Sequence, residues 1–408
     1  MNNIDRGWII TCFGTAVGAG ILFLPIQAGF SGIWSIIFLT AIIFPITYIS
    51  HRGITRIVAS CPKETDIVGA VENDLGSTAG FVVSILYFSS IVTICVGYAT
   101  GLTNLINAFL VNQLWFVSIH RPLLTFIILS VMTLFLLSNE KMMLVITSIL
   151  TFPLILLLFG VSIYMIPHWN MSAFHSQFIL KDFVKNTFLL LPVLVFSMNF
   201  SPVCSVLGSF YRKKYGNNDE AIKMSDKVVK WNSIILLFFI MFFVFSLFFS
   251  ITPNVLVIAK ENNLDALSAI ALATETSLEK YFVYILPMIA FLALSSSYFG
   301  HFIGTREGLS GIIVRLFNCK GKVNPSKLKI ISTFLLFILL WILAVSNPSI
   351  LTSISALSAP IIAMYAYLMP VIMMRKVPRL RIYRSKLAAF VFIMGILTMV
   401  GYIVGEII

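Results

Sequence analysis

Residues 14–25 read GTAVGAGILFLP, and three glycines, Gly14, Gly18 and Gly20, fall within seven positions of a stretch that is otherwise apolar and helix-like. Each interior glycine weakens a helix by roughly 0.5–1 kcal/mol against alanine. In a hydrocarbon environment an unpaired backbone group costs more still, so a helix interrupted at depth survives only where it is buried in protein or lines a cavity. Glycine lets the backbone leave the helix and lets another group approach it closely. The Gly14 and Gly18 pair also fits the small-residue spacing by which membrane helices pack, so a packing role stands beside the functional one.

That a membrane is the right setting follows from composition. Of 408 residues, 59% are hydrophobic and 11% charged, and the mean hydropathy is +0.99. This is far more apolar surface than a soluble fold carries. No Asp, Glu, Lys or Arg occurs in 7–51, 75–120, 142–180, 186–211, 231–259, 281–305, 330–374 or 387–405. A membrane helix takes ~20 apolar residues, so the 45-residue windows 7–51 and 330–374 must each fold as a hairpin. The turn-forming clusters GFSG (29–32) and SNPS (346–349) divide them. The sequence therefore predicts an all-α membrane protein with eleven spans: 8–29, 33–50, 78–104, 122–138, 142–166, 187–210, 231–251, 281–304, 329–346, 350–374 and 387–405. No small-residue cleavage site follows a short apolar region at the N-terminus, so the first apolar segment is expected to stay as a span.

Charge orients these spans. With the N-terminus in the cytoplasm, 23 of the 28 Lys and Arg residues fall inside, leaving only Arg121, Lys181, Lys185, Lys260 and Lys280 outside. Positive charge is retained on the cytoplasmic side, and an odd number of spans then puts the C-terminus outside. The formal net charge of +12 is accounted for without nucleic acid. Clusters such as YRKKYG and RKVPRLRIYRSK read as orientation signals that touch anionic lipid. The cysteines, Cys12, Cys61, Cys95, Cys204 and Cys319, show no metal-ligand spacing and no pairing outside the cell. Two outer loops, 167–186 and 252–280, contain short amphipathic stretches expected to lie on the membrane face. Thr252 and Pro253 read as the N-cap and first residue of one. KETDIVGAVENDLG (63–76) reads as a surface helix on the other side.

A second candidate interruption is VFSMNFSPV (195–203). Pro202 cannot donate to the helix ladder, and Ser197, Asn199 and Ser201 offer side chains to the freed groups. Both breaks fall in the first helix of a five-helix set, 8–166 and 187–374. Five is odd, so the sets lie inverted, as in many secondary transporters, with 387–405 an appendage and the whole of 1–408 one transporter domain. The spans hold almost no ionisable group. Half-helix N-termini attract a carboxylate and half-helix C-termini attract an ammonium. A zwitterion such as an amino acid suits a site of that kind.

GTAVGAGILFLPIQAG, HRGITR, IPHWN, VFSMNFSP, MFFVFS, FGHFIGTREGLSG, NPSI and APIIAM together resemble, in order and over nearly the whole chain, the hydroxy and aromatic amino acid permeases, most closely their serine and threonine members. That family belongs to the amino acid, polyamine and organocation superfamily. The resemblance implies a leucine-transporter-like 5+5 inverted repeat with helices 1 and 6 interrupted, plus one extra helix. It implies import of L-serine and/or L-threonine by cation symport across the bacterial inner membrane, with a proton as the expected ion. An aromatic substrate and sodium coupling are the alternatives. The first stretch is also similar, from Gly14 to Gly20, to the sodium-coupled leucine transporter. By that similarity the amides of Gly18, Ala19 and Gly20 hold the substrate carboxylate, with Ser197 and Asn199 at the second break. The carbonyls of Gly14 and Val17 face a cation whose site Ala293, Ser296 and Ser297 complete. The family pattern places a lysine at Ser296, and this sequence departs there. His301, Arg306 and Glu307 read either as a gate or proton relay or as a polar cluster where the eighth span emerges. Tyr87, Tyr98 and Asn104 read as path-lining or packing residues. No cofactor is expected; the partners are the amino acid and the bilayer, and the oligomeric state is left open.

Two other classes are weaker. GFSG, with Ser31, matches the GxSG of intramembrane serine proteases. It requires a histidine within hydrogen-bond reach, whereas His51, His120, His168 and His175 are expected at loops or helix ends and His301 near the opposite face. A channel would show rings of polar or charged residues along a pore, and none is evident in the sequence.

Overall fold

The computed structural model describes residues 3–61, 65–137, 140–216, 218–273, 282–317 and 324–408. Among them regular structure is entirely helical. The helices are α1 (Asn3–Ala16), α2 (Ala19–Ser31), α3 (Ile33–Ala59), α4 (Ile67–Leu75), α5 (Ser77–Asn112), α6 (Arg121–Leu137), α7 (Glu140–Tyr164), α8 (Leu180–Ser197) and α9 (Ser201–Tyr215). They continue with α10 (Asn218–Ser250), α11 (Pro253–Glu261), α12 (Ala266–Ala273), α13 (Phe282–Leu316), α14 (Pro325–Val345), α15 (Ile350–Lys376) and α16 (Lys386–Ile407). Among the described residues nine helical segments are long and apolar enough to cross a membrane. One further pair, α1 and α2, is bent by 51° at Val17–Gly18, and the shorter Arg121–Leu136 is apolar as well.

Both glycine- and proline-marked interruptions are present. The first lies between Ala16 and Ala19 and the second between Ser197 and Ser201. The hairpin turns fall where the sequence put them. Gly32, at φ 78°, ends α2 and begins α3, and Asn347, at φ 50°, turns the chain between α14 and α15. α4 forms within the 63–76 segment, with the Asp66 carboxylate capping it by accepting from the Gly69 amide at 2.6 Å. The start of the 252–280 segment forms the short pair α11 and α12, with Pro253 opening α11.

Several span ends need correction. α3 runs nine residues past its expected end at 50 and α13 twelve past its expected end at 304. Polar residues continue a helix when they find partners. Arg52 donates to the Tyr48 hydroxyl at 3.0 Å, and Arg56 pairs with Asp226 on α10 at 2.5 Å. A consequence is that His51 sits inside a helix, fully buried, and not at a helix end. α15 holds two π-helical turns, Ile354–Ser358 and Ala363–Leu368. Turns of this kind recur at functional sites.

Packing centres on the broken helices. α2 lies along α8, α3 covers α8, α9 and α10, and α5 makes an extensive contact with α13. Ion pairs gather at one end: Arg56–Asp226, Arg379–Asp74 at 2.5 Å, and Arg315–Glu72. Cys12, Cys61, Cys95 and Cys204 are buried free thiols, while Cys319 lies outside the described residues.

Candidate functional site

The two interruptions meet. A methyl group on Gly20 would stand 2.6 Å from the Ser197 Cα and 3.0 Å from its hydroxyl, so only glycine allows α2 to start against the end of α8. A methyl on Gly14 would meet Thr151 of α7 at 2.6 Å. One on Gly18 would meet the Ser297 Cβ at 2.6 Å and the Tyr98 hydroxyl at 2.8 Å. Gly18 is the N-cap of α2 and brings no side chain to its first-turn amides. Those amides stand at the positive end of the helix dipole.

Of the five oxygens expected around a cation, three converge. The Ser297 hydroxyl lies 2.6 Å from the Val17 carbonyl and 3.2 Å from that of Gly14, donating toward the carbonyls freed at the end of α1. The Ser296 hydroxyl instead turns back along its own helix and donates to Ala293 at 3.2 Å, the ordinary habit of serine in membrane helices. Ser197 does the same, donating to Val193 at 2.7 Å.

At the second break the Asn199 side chain folds over its own loop. Its Oδ1 accepts from the Ser201 amide at 3.2 Å and the Ser201 hydroxyl at 2.6 Å, while its buried Nδ2 has no hydrogen-bond partner. Ser201 also meets the Tyr365 hydroxyl, which the second π-turn of α15 delivers. The remaining freed donor finds a group the sequence reading missed. Phe200 N–H donates to His51 Nε2 at 3.0 Å, and the imidazole stacks on the Phe200 ring with centroids 4.0 Å apart. A nitrogen that accepts from an amide carries no proton. The proton is thus on Nδ1, which donates to the Thr47 carbonyl at 2.8 Å. The signal available in the sequence was HRGITR, a polar run directly after an apolar one. Nothing local says that it lies against residue 200.

His301 is also buried, not at an emerging helix end. Its Nδ1 lies 2.9 Å from the Ser297 carbonyl, and its ring centroid lies 5.3 Å from that of Tyr98. Arg306 is nine-tenths buried on the same helix; the Glu307 side chain lies outside the described residues. Arg306 and Tyr87 line a cavity of about 1100 Å³ between α4, α5, α13 and α14. The Tyr87 ring packs edge-on against Tyr365 at 5.5 Å, so the cavity ends one aromatic ring from the second break.

Asn104 is not on that path. It belongs to a polar clamp at the other end of α5, where it accepts from Arg121 at 2.6 Å and donates to the Asn263 carbonyl at 3.1 Å and to Asn347 at 3.2 Å. Arg121 also donates to Ala344 at 2.9 Å, and Asn263 Oδ1 accepts from the Ile350 amide at 3.0 Å. Asn263 and Asn347 both adopt φ 50°, a left-handed conformation that asparagine tolerates better than most residues. Ser31, the protease candidate, accepts at 3.4 Å from Gln27 on its own helix.

A model of the tryptophan/tyrosine permease family matches residues 6–406. The chain belongs to that family. Among relatives of this permease, the serine transporter SdaC of Escherichia coli strain K12 is 36% identical over 96% of the chain and 92% of its own length. The serine transporter SdaC of Shigella flexneri is 36% identical over the same shares. A permease of this kind is a multi-pass membrane transporter and not an enzyme, which removes the protease reading of Ser31.

Proposed function

We propose that this permease is a secondary active transporter that imports a small neutral amino acid, L-serine and/or L-threonine, in symport with a proton. The observation that carries the reading is the meeting of two interrupted helices without a charged side chain between them. The uncapped first turn of α2 at Gly18, Ala19 and Gly20 suits a carboxylate. The end of α8 and the orphaned Asn199 Nδ2 suit the remaining polar atoms of a hydroxy amino acid. The relatives named serine transporter support the choice of substrate. In a competition panel against labelled serine uptake, serine and threonine should compete; competition by tyrosine and tryptophan alone would reverse the assignment to the aromatic members.

A second reading of the coupling ion rests on the convergence of Gly14, Val17 and Ser297. Oxygen ligands of this sort suit a hard cation such as sodium. Proteoliposome uptake under separate sodium and proton gradients tells the two apart.

The same proposal covers the architecture. The nine long segments, the bent α1/α2 pair and the short α6 make eleven spans. They divide into inverted sets at 8–166 and 187–374, with 387–405 added, in one domain of the bacterial inner membrane. The basic segments then lie in the cytoplasm with the N-terminus, and the C-terminus lies outside. In this orientation the cavity beside Tyr87 opens inward and the Asn263 clamp closes the outer side.

A further inference from the structure

We infer that His51 is the residue that carries the coupling proton, through its hold on the second helix break. The inference rests on the proton-symport reading above and names its carrier. His51 is fully buried, and its Nε2 lone pair accepts from the Phe200 amide that the break between α8 and α9 has freed. Nδ1 is fixed as a donor by Thr47, with the Ser50 hydroxyl 3.0 Å away. The imidazole therefore has one place left for a proton, and that place is exclusive with the present geometry of the break. When Phe200 N–H points at Nε2, the site is closed to protons. When α9 shifts and the amide turns away, Nε2 is a buried acceptor with no donor, and a proton from water restores its bond count by making it a donor.

The charged neighbours are engaged elsewhere, which makes the exchange dependent on substrate. On α3 itself, Arg52 is held by Tyr48 and Arg56 by Asp226 of α10. The acids of α4, Glu72 and Asp74, are held by Arg315 and Arg379. α2 carries no charged residue, and α16 carries none between Lys386 and Glu406. α8 and α9 bring Asn199, Phe200 and the buried Cys204 thiol toward this level. α15 brings the phenols Tyr365 and Tyr367, both buried. None of these supplies a standing counter-ion for an imidazolium. The anion that does arrive is the substrate carboxylate, received where Gly20 abuts Ser197. Substrate and proton then raise each other's affinity by one and the same factor, which is the thermodynamic content of symport. In the proposed cycle the proton binds to Nε2 from the outer side, travels as imidazolium with the amino acid, and leaves to the inner side as Phe200 N–H returns.

The test uses the full chain in proteoliposomes and reads the ratio of serine accumulation under an inward proton gradient to serine counterflow, which needs no net proton movement. The wild type should show a ratio well above one. His51→Gln and His51→Asn keep a side-chain acceptor near Phe200 but hold no proton, and should bring the ratio to about one whatever their absolute rates. A wild type indifferent to the gradient overturns the proton reading and this inference with it. A responsive wild type with equally responsive His51 variants overturns this inference alone. So does a loss of response in His301→Gln while His51→Gln keeps it. Should both His51 variants fail to insert, ¹⁵N-histidine NMR of the wild type decides, with His301→Gln used to tell the two buried histidines apart. Serine addition at mildly acidic pH should convert His51 from the Nδ1–H tautomer to the imidazolium, and a signal that stays neutral overturns the proposal.

Discussion

Two neighbouring serines show how little residue type alone says about role. Ser296 and Ser297 are identical in chemistry and adjacent in sequence, yet one bonds its own helix and the other reaches the freed carbonyls of Val17 and Gly14. Ser297→Ala should therefore leave a buried carbonyl without its donor, at a cost of about 1–3 kcal/mol. Serine uptake should fall steeply at normal expression, while Ser296→Ala stays near wild type. The glycines sort in the same way. Gly20→Ala forces a methyl to 2.6 Å from the Ser197 backbone, whereas an alanine at Gly97 on α5 meets nothing within 4 Å. Gly20→Ala should lower both thermal stability and uptake. Gly97→Ala should leave uptake intact and stabilise slightly, because alanine is the better helix former. Melting of the purified protein, measured beside uptake, checks both.

At the scale of elements, Asn263 ties the α11–α12 hairpin to the turn between α14 and α15 and to α5. Asn263 donates to Pro348 at 2.9 Å, accepts from Ile350, and receives Asn104 at its carbonyl. Asn263→Ala removes the side-chain bonds and puts alanine at a positive φ, which favours release of the hairpin. A cysteine placed at Leu264, buried in the hairpin beside Asn263, should then react faster with impermeant thiol reagents in the Asn263→Ala background than in the wild-type one. The hairpin also carries a pH dependence. Asp265 is buried, and burial is the largest influence on its carboxyl, raising its pKa; the Leu267 and Ser268 amides and the Ser268 hydroxyl oppose this in part. A raised value in the fold means tighter proton binding there than in the unfolded chain. The stabilisation is thus full below the ordinary aspartate value of about 3.9 and is lost as pH rises through the raised one. Asp265→Asn, which keeps the capping oxygen, should flatten the dependence of melting temperature on pH across that window.

For the molecule as a whole, the broad cavity and the clamp lie toward opposite ends of α5. If the basic segments are cytoplasmic, a cysteine at Thr78, exposed on the cavity rim, should label only in inverted vesicles. One at Asn262, exposed beside the clamp, should label only in intact cells. The buried native thiols, with Cys319 replaced by serine, give a quiet background. Labelling of both from the same side would overturn the topology.

The sequence by itself determined the membrane class, the hairpin turns and both interruptions. Each of these follows from local quantities: apolar length against membrane thickness, and the backbone freedom or missing donor of glycine and proline. Ser297 was marked only by the resemblance to the leucine transporter, since spacing along one helix gives Ser296 and Ser297 equal claims. Helix ends at 50 and 304 were misread because charged residues prolong a helix when a distant partner holds them, as Asp226 holds Arg56. His51, the clamp of Asn104, Arg121, Asn263 and Asn347, and Tyr365 in its π-turn were decided only by the tertiary structure. The His51 bond to Phe200 spans 149 positions of sequence and that of Asn104 to Asn347 spans 243. A buried polar group must find a partner, but which one it finds is set by how helices far apart in the chain come to lie side by side.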